Sequence, residues 1–254
     1  MSAQHIFGDP SNSSSQPNAG PPSPTRSTHR SDSISKPKLV QITSHNQYTS
    51  PRLTREILSP SPLEQFKTWF AEAQSPPNGL PAVAEPEATC ISTSTAAGIP
   101  SARMVLLRGV DERGFVFFTN YTSRKSRELI ANPHASMTFY WKEQARQVRV
   151  IGTVEKVERE ESESYFATRP RGSQIGAWAS EQSKEIGETT LQDRLDRFEE
   201  EFEGKEVDCP EHWGGWRIDP FEIEFWSGHT SRLHDRFRYL LQDDGQWKID
   251  RLSP

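Results

Sequence analysis

The first ordered pattern along the chain is helical. In SPSPLEQFKTWFAEA, Leu63, Phe66, Phe70 and Ala73 recur at helical spacing; Ser61 stands where an N-cap belongs, Pro62 fills the first helical position, and Glu64 completes a capping box. After a Pro-rich linker the period changes. EATCISTST, SARMVLLRG, GFVFFTN, HASMTFYW and ARQVRVIGTVEKV read as strands, and turns such as TAAGIP and DERG are too short for parallel crossovers. Helices interrupt in three places: in TSRKSRELIANP, halted by Asn132-Pro133, in the Glu-rich stretch before Arg169-Pro170, and in TLQDRLDRFEEEFEG. The last has Leu191, Leu195, Phe198 and Phe202 as its buried stripe and Gly204 as its C-cap. Strands resume at GWRI, FEIEFWSG, SRLHDRFRYLL and QWKID. The pattern predicts an α+β fold, an antiparallel β-barrel, closed or nearly so, with peripheral helices.

Composition separates two materials. Residues 1–46, with runs such as SNSSSQPNAGPPSPTRSTHRSDS, hold too little apolar surface to offset the entropy of ordering and read as a disordered tail. Residues 47–254 read as one folded domain. The net charge of −5 argues against binding nucleic acid by bulk phosphate neutralisation. No apolar stretch has the roughly 18 residues needed to cross a bilayer, so no membrane role is expected. Cys90 and Cys209 lack the spacing and histidine partners of a zinc site, so no metal is expected; they suit a reducing compartment, and we expect a cytoplasmic protein. The alternative is mitochondrial targeting by the Ser- and Arg-containing, acid-poor tail, which shows no amphipathic helix. There is no GxGxxG after a strand, no GxxxxGK[ST], no HExxH and no GxSxG.

What remains is cations set into apolar elements. Alternation puts Arg103, Val105 and Leu107 on one face of their strand, and Met104, Leu106 and Arg108 on the other. Arg124 and Lys125 fall at a helix start capped by Thr122 or Ser123, where cations oppose the dipole and an anion would relieve them. A solvated first turn would give the same pattern. Gln147 shares a face with Arg149. Tyr165, Arg169, Arg171 and Ser173 lie close in sequence, as a second phosphate site or a surface loop would have them. In SRLHDRF, a strand would place Arg232, His234 and Arg236 on one face, with Leu233 opposite. That face suits an anion, or it is a salt-bridged edge in water. Two anion sites without a metal cluster suit a phosphorylated cofactor beside a phosphorylated substrate.

RMVLLRG, FFTNYTSRKSREL, RQVRVIG, YFATRPRGSQIGAWAS, WGGWRI, IEFWSG…SRLHDRF and WKIDRLSP, in this order over roughly residues 48 to 254, closely resemble the pyridoxamine 5'-phosphate oxidase family. The resemblance implies a homodimer of split β-barrels binding FMN at the subunit interface. It implies oxidation of pyridoxamine or pyridoxine 5'-phosphate to pyridoxal 5'-phosphate, with dioxygen as acceptor and hydrogen peroxide as product. Arg103, Arg124 and Lys125 would hold the FMN phosphate, with Gln182 and Ser183 reaching it from the other subunit. Met104, Val105 and Leu106 would pass the flavin ring, with Phe118 and Thr119 beside it and Gln147, Trp226 and Arg236 completing its shell. Arg108, Tyr165, Arg169 and Ser173 would take the substrate phosphate. Arg232, Leu233 and His234 would lie over the pyridine ring, Arg232 and His234 being the catalytic pair.

The family usually has Lys where this chain has Arg108, which keeps the charge and changes the fork geometry. Its N-terminal basic stretch matches only loosely around Arg52 to Glu56, and no site residue is assigned there. A split-barrel binder of flavin or haem, or a pyridoxal-phosphate carrier without turnover, would share the fold.

Overall fold

A computed structural model describes residues 47–48, 50–76, 81–187 and 190–254. The Ser/Pro-rich segment 1–46 lies outside the described residues.

Among the described residues, nine strands make one antiparallel sheet: β1 (Ala88–Ser94), β2 (Pro100–Leu106), β3 (Gly109–Asp111), β4 (Gly114–Asn120), β5 (His134–Trp141), β6 (Arg146–Lys156), β7 (Trp213–Ser227), β8 (Asp235–Leu241) and β9 (Trp247–Leu252). Five helices accompany them: α1 (Pro62–Gln74), α2 (Arg124–Ala131), α3 (Arg159–Ala167), α4 (Arg171–Ala179) and α5 (Leu191–Glu201). The order is β2-β1-β5-β6-β7-β4-β3, with β8 also on β7 and β9 on β8.

The sheet forks at β7. Its first part pairs with β4 and its last six residues with β8, while β6 runs along its other edge. GWRI and FEIEFWSG, which read as separate strands, are therefore one 15-residue strand. Pro220 has no N–H to give the ladder, and next to it Phe221 is an extra residue, since Ile151 pairs with Glu222 and Gly152 with Pro220. A Cβ on Gly152 would collide with the Asp219 carbonyl, so glycine is required there.

The barrel closes through the chain itself. Leu107 N–H donates to Glu87 O at 2.9 Å on the β1 side, and Arg108 N–H donates to Val116 O at 2.8 Å on the β4 side. Inside, Phe115, Phe117, Met137, Phe139, Val148 and Ile223 are fully buried. Phe66 of α1 plugs them, 4.8 Å from Phe115 and 4.9 Å from Phe139 between ring centroids. Burying each such side chain contributes about 1.5–3 kcal/mol.

A second cluster lies outside the barrel, where Phe166 of α3, Ile175 of α4, Val207 and Trp213 pack under α5. The strong periodicities have become the expected elements. Ser61 caps α1, but the capping box is half made: the Glu64 carboxylate takes Lys67 Nζ at 2.8 Å, and Ser61 N–H goes to Ser59 Oγ. α4, read as possible loop, is a helix, because packing that buries Ile175, Ala177 and Ala179 outweighs the low helix propensity of its two glycines. The α5 stripe is only half-buried, with Leu191 exposed, and Gly204 (φ +69°) stands two residues beyond the C-cap Phe202.

The largest departure is SRLHDRF. Strand β8 begins only at Asp235. Thr230–Arg232 form a 3-10 turn, in which Ser231 and Arg232 are left-handed at φ 55° and 59°. Arg232, His234 and Arg236 therefore do not share a strand face.

Candidate active site

Lys125 lies in the first turn of α2, behind the Ser123 cap, and is 6% exposed. Its ammonium donates to Gln182 Oε1 at 2.7 Å and Thr119 Oγ1 at 3.0 Å, both neutral. Burial, and then the nearby charge of Arg103, push its pKa down to about 8. No carboxylate pairs with it among the described residues. One turn on, Glu128 is buried and accepts from Thr93, Ser101 and Arg124, with Arg103 Nη2 at 3.5 Å. Burial alone would raise the Glu128 carboxyl; the hydroxyls of Ser101 and Thr93 and the Arg124 guanidinium reverse this and hold it at about 2. Arg103, Arg124 and Lys125 against one carboxylate leave a local charge of +2. A phosphate monoester dianion matches that charge.

Lys125 lies at one end of a cavity of about 450 Å³ between β2, β4 and α4. That volume suits a cofactor-sized ligand. Phe118, on the outer face of β4, stacks on Tyr165 at 4.1 Å and on Trp213 at 5.5 Å. Met104 and Leu106 also line the cavity and stay 64% and 41% exposed, unusual for β-sheet apolar side chains unless something covers them.

The other end carries a second positive pole. Arg108, Tyr165, Arg169 and Ser173 line it together. The Arg169 guanidinium lies 4.7 Å over the Trp213 ring, and its Nη1 is buried without a hydrogen-bond partner. Burial lowers its pKa; Tyr165 and Cys209 oppose this in part, and the charge of Arg108 adds a smaller lowering. Neither arginine has an ion pair among the described residues. Arg171 does not join them: it donates to Phe202 O at 2.6 Å and Lys205 O at 2.9 Å at the end of α5.

The remaining expected residues form a separate group. Gln147, Trp226 and Arg236 make one row across β6, β7 and β8. Following the pairing through β5 and β1, this row shares a sheet face with Met104. Arg236 is held by Glu224 at 2.7 Å and by Ser253 O at 2.9 Å. The His234 ring packs 4.7 Å from Trp226, and its Nδ1 accepts from His229 N–H at 3.0 Å. Burial, then the charges of His229 and Arg232, lower the His234 pKa. None of Gln147, Ser183, Trp226, Arg232, Leu233, His234 or Arg236 lines the cavity of this chain. Gln182 does, and it reaches Lys125 within its own chain.

Comparison with known proteins now decides the family. Residues 78–194 match the profile of the family described as pyridoxamine 5'-phosphate oxidase, and residues 213–254 match that of the pyridoxine 5'-phosphate oxidase C-terminal dimerisation region. Proteins of Trichormus variabilis and Cupriavidus necator named pyridoxine/pyridoxamine 5'-phosphate oxidase are each 50% identical over 208 residues, covering 82% of this chain and 95% of theirs. The chain belongs to the pyridoxine/pyridoxamine 5'-phosphate oxidase family.

The fold agrees. A crystal structure of PhzG from Burkholderia lata 383 in complex with tetrahydrophenazine-1-carboxylic acid superposes with a TM-score of 0.73 at 30% identity, covering 81% of this chain and 99% of that one. A pyridoxamine 5'-phosphate oxidase-related, FMN-binding protein from Nostoc punctiforme has a TM-score of 0.62 at 13% identity, over 78% of this chain and 100% of that one. The barrel is thus the split β-barrel of an oxidoreductase family. In this oxidase-family chain, sequence reasoning passed over Thr93, Ser101 and Glu128, which fix the arginines of the first pole. Asp235, read as the salt-bridging residue of an exposed edge, is instead fully buried between Arg52 at 2.8 Å and Arg251 at 3.0 Å. Glu128 had a signal, its i,i+4 spacing from Arg124. Thr93 and Ser101 had none, because only the β1–β2 register brings them to α2.

Proposed function

We propose that the chain is an FMN-dependent oxidase that converts pyridoxamine 5'-phosphate and pyridoxine 5'-phosphate to pyridoxal 5'-phosphate, with dioxygen as acceptor and hydrogen peroxide as product. The observation that carries this reading is one cavity with two positive poles, Lys125 at one end and Arg108 with Arg169 at the other, neither neutralised among the described residues. Two phosphorylated ligands, cofactor and substrate, fit that arrangement. The +2 charge around Lys125 and the exposed apolar strand Met104–Leu106 suit the phosphate and ring of FMN.

FMN bound there would supply the ring that accepts a hydride equivalent from the substrate. Arg103, Arg124 and Lys125 hold its phosphate, with Glu128 keeping both guanidiniums in place. Arg108, Arg169, Tyr165 and Ser173 hold the substrate phosphate, which fixes the distance of the reacting carbon from the cofactor. Arg232 packs over the pyridine ring and stabilises charge that develops on it. His234, with Nδ1 committed to His229 N–H, keeps its proton on Nε2 and orients the substrate as a donor.

The active unit is a homodimer, in which the sheet face bearing Gln147, Trp226 and Arg236 closes over the cavity of the other subunit. The match of residues 213–254 to a dimerisation region and the exposure of Met104 and Leu106 support this. The activity resides in residues 47–254, in the cytoplasm. Oxygen consumption and peroxide release measured with pyridoxamine 5'-phosphate and with unphosphorylated pyridoxamine test the reading. Turnover of the phosphorylated compound alone is expected. Equal turnover of both would remove Arg108 and Arg169 from a phosphate site, and none with either would refute the activity.

A further inference from the structure

Four small residues along α4 line the cavity: Ser173, Gly176 and Ala177 in the helix and Ser180 at its C-cap. Gly176 stands in the middle of the helix, where glycine is disfavoured relative to alanine. Nothing in the fold asks for it. Its φ is not positive, and a Cβ built on it would meet no atom within 4 Å. Its position is telling. Ser173 belongs to the Arg108–Arg169 pole, and the Ser180 carbonyl accepts from Asn120 Nδ2 at 3.1 Å, on the Lys125 side. Seven residues of helix rise about 10 Å, so Gly176 marks the waist between the two poles. Ligands anchored by phosphate at either end bring their ring portions together at that waist.

We propose that Gly176 is a specificity-determining residue, whose missing side chain lets the planar ring of a phosphorylated pyridine lie against the α4 backbone between the two anion poles. The inference rests on the reading of this cavity as the oxidase site. Gly172 supplies an internal control. It lies in the first turn of the same helix and likewise has no atom within 4 Å of a built Cβ. It faces Glu199 of α5 and Glu203 rather than the cavity.

The test compares Gly172→Ala, Gly176→Ala and Gly176→Val for melting temperature, flavin content, KM and kcat. Both alanine variants should melt about 2 °C higher, because helix propensity improves and nothing clashes. Gly172→Ala should keep the parental KM for pyridoxamine 5'-phosphate. Gly176→Val, with its flavin content and circular dichroism unchanged, should raise that KM about tenfold or more, as added bulk does in a tight pocket. Gly176→Ala should fall between. A KM for folded Gly176→Val within twofold of the parent overturns the proposal, and so does a fall in melting temperature for Gly176→Ala, which would show the glycine is kept for the fold. If the parent turns over no pyridoxamine 5'-phosphate, the functional reading fails separately. Fluorescence titration with pyridoxal 5'-phosphate then decides: weaker binding to Gly176→Val supports the proposal, and equal binding overturns it.

Discussion

Lys125 shows how one residue sets two properties at once. Its charged form is penalised by burial, so its folded pKa, about 8, lies below the ordinary 10.5. Between those values the unfolded chain holds more protons than the folded one, so the ligand-free protein should gain stability as pH rises from about 8 to about 10.5; below 8 the full penalty applies, up to about 3 kcal/mol. Lys125→Met should accordingly raise the urea midpoint at pH 7 while releasing flavin, and wild-type affinity for FMN should fall as pH rises through 8. A Lys125→Met protein that is less stable yet fully flavinylated would contradict both assignments. Arg232 and His234 raise a second expectation. With FMN bound, Arg232→Leu should slow anaerobic flavin reduction about tenfold or more, equivalent to about 1.4 kcal/mol. His234→Asn keeps a donor and should slow it less. It should also remove an acid limb, which lies below 6.5 because burial, His229 and Arg232 lower the histidine's pKa. Stopped-flow rates equal to wild type in both variants would return these residues to the surface. The residue types were legible in the sequence. Their arrangement was not, because serine and arginine at 231 and 232 carry no signature of the left-handed φ they adopt.

Among the elements, short apolar runs bounded by turn residues were readable from one dimension. GFVFFTN became β4 with the expected ends, since Phe115 and Phe117 face the barrel while Phe118 faces Tyr165. What failed were elements whose reason lies elsewhere in the fold. α4 is helical because α3 and α5 flank it, and β7 is continuous across Pro220 because β6 pairs with it on both sides of a bulge, in which Phe221 of β7 is the extra residue. That bulge carries its own prediction. Gly152→Ala should lose more than about 2 kcal/mol, several degrees in melting temperature, because its methyl meets the Asp219 carbonyl where β6 and β7 are tightest. A calorimetric midpoint within one degree of wild type would show that the bulge relaxes freely.

The whole molecule divides the expected site between two surfaces of one chain, the cavity at Lys125 and the sheet face at Trp226 and Arg236. The resemblance implied a dimer, and the geometry gives that dimer a task. If each site takes its cavity from one subunit and its Arg232 turn from the other, mixing Lys125→Met and Arg232→Leu chains should restore activity, because each mixed dimer regains one intact site. Mixed preparations no more active than their parents would place the whole site in one chain. The measurement that tests the assignment most directly is the visible spectrum of the purified chain during anaerobic addition of pyridoxamine 5'-phosphate. Flavin bands should be present and should bleach with substrate, then return when air is admitted. A colourless protein that takes up no FMN, or flavin bands that do not bleach, would contradict the oxidase.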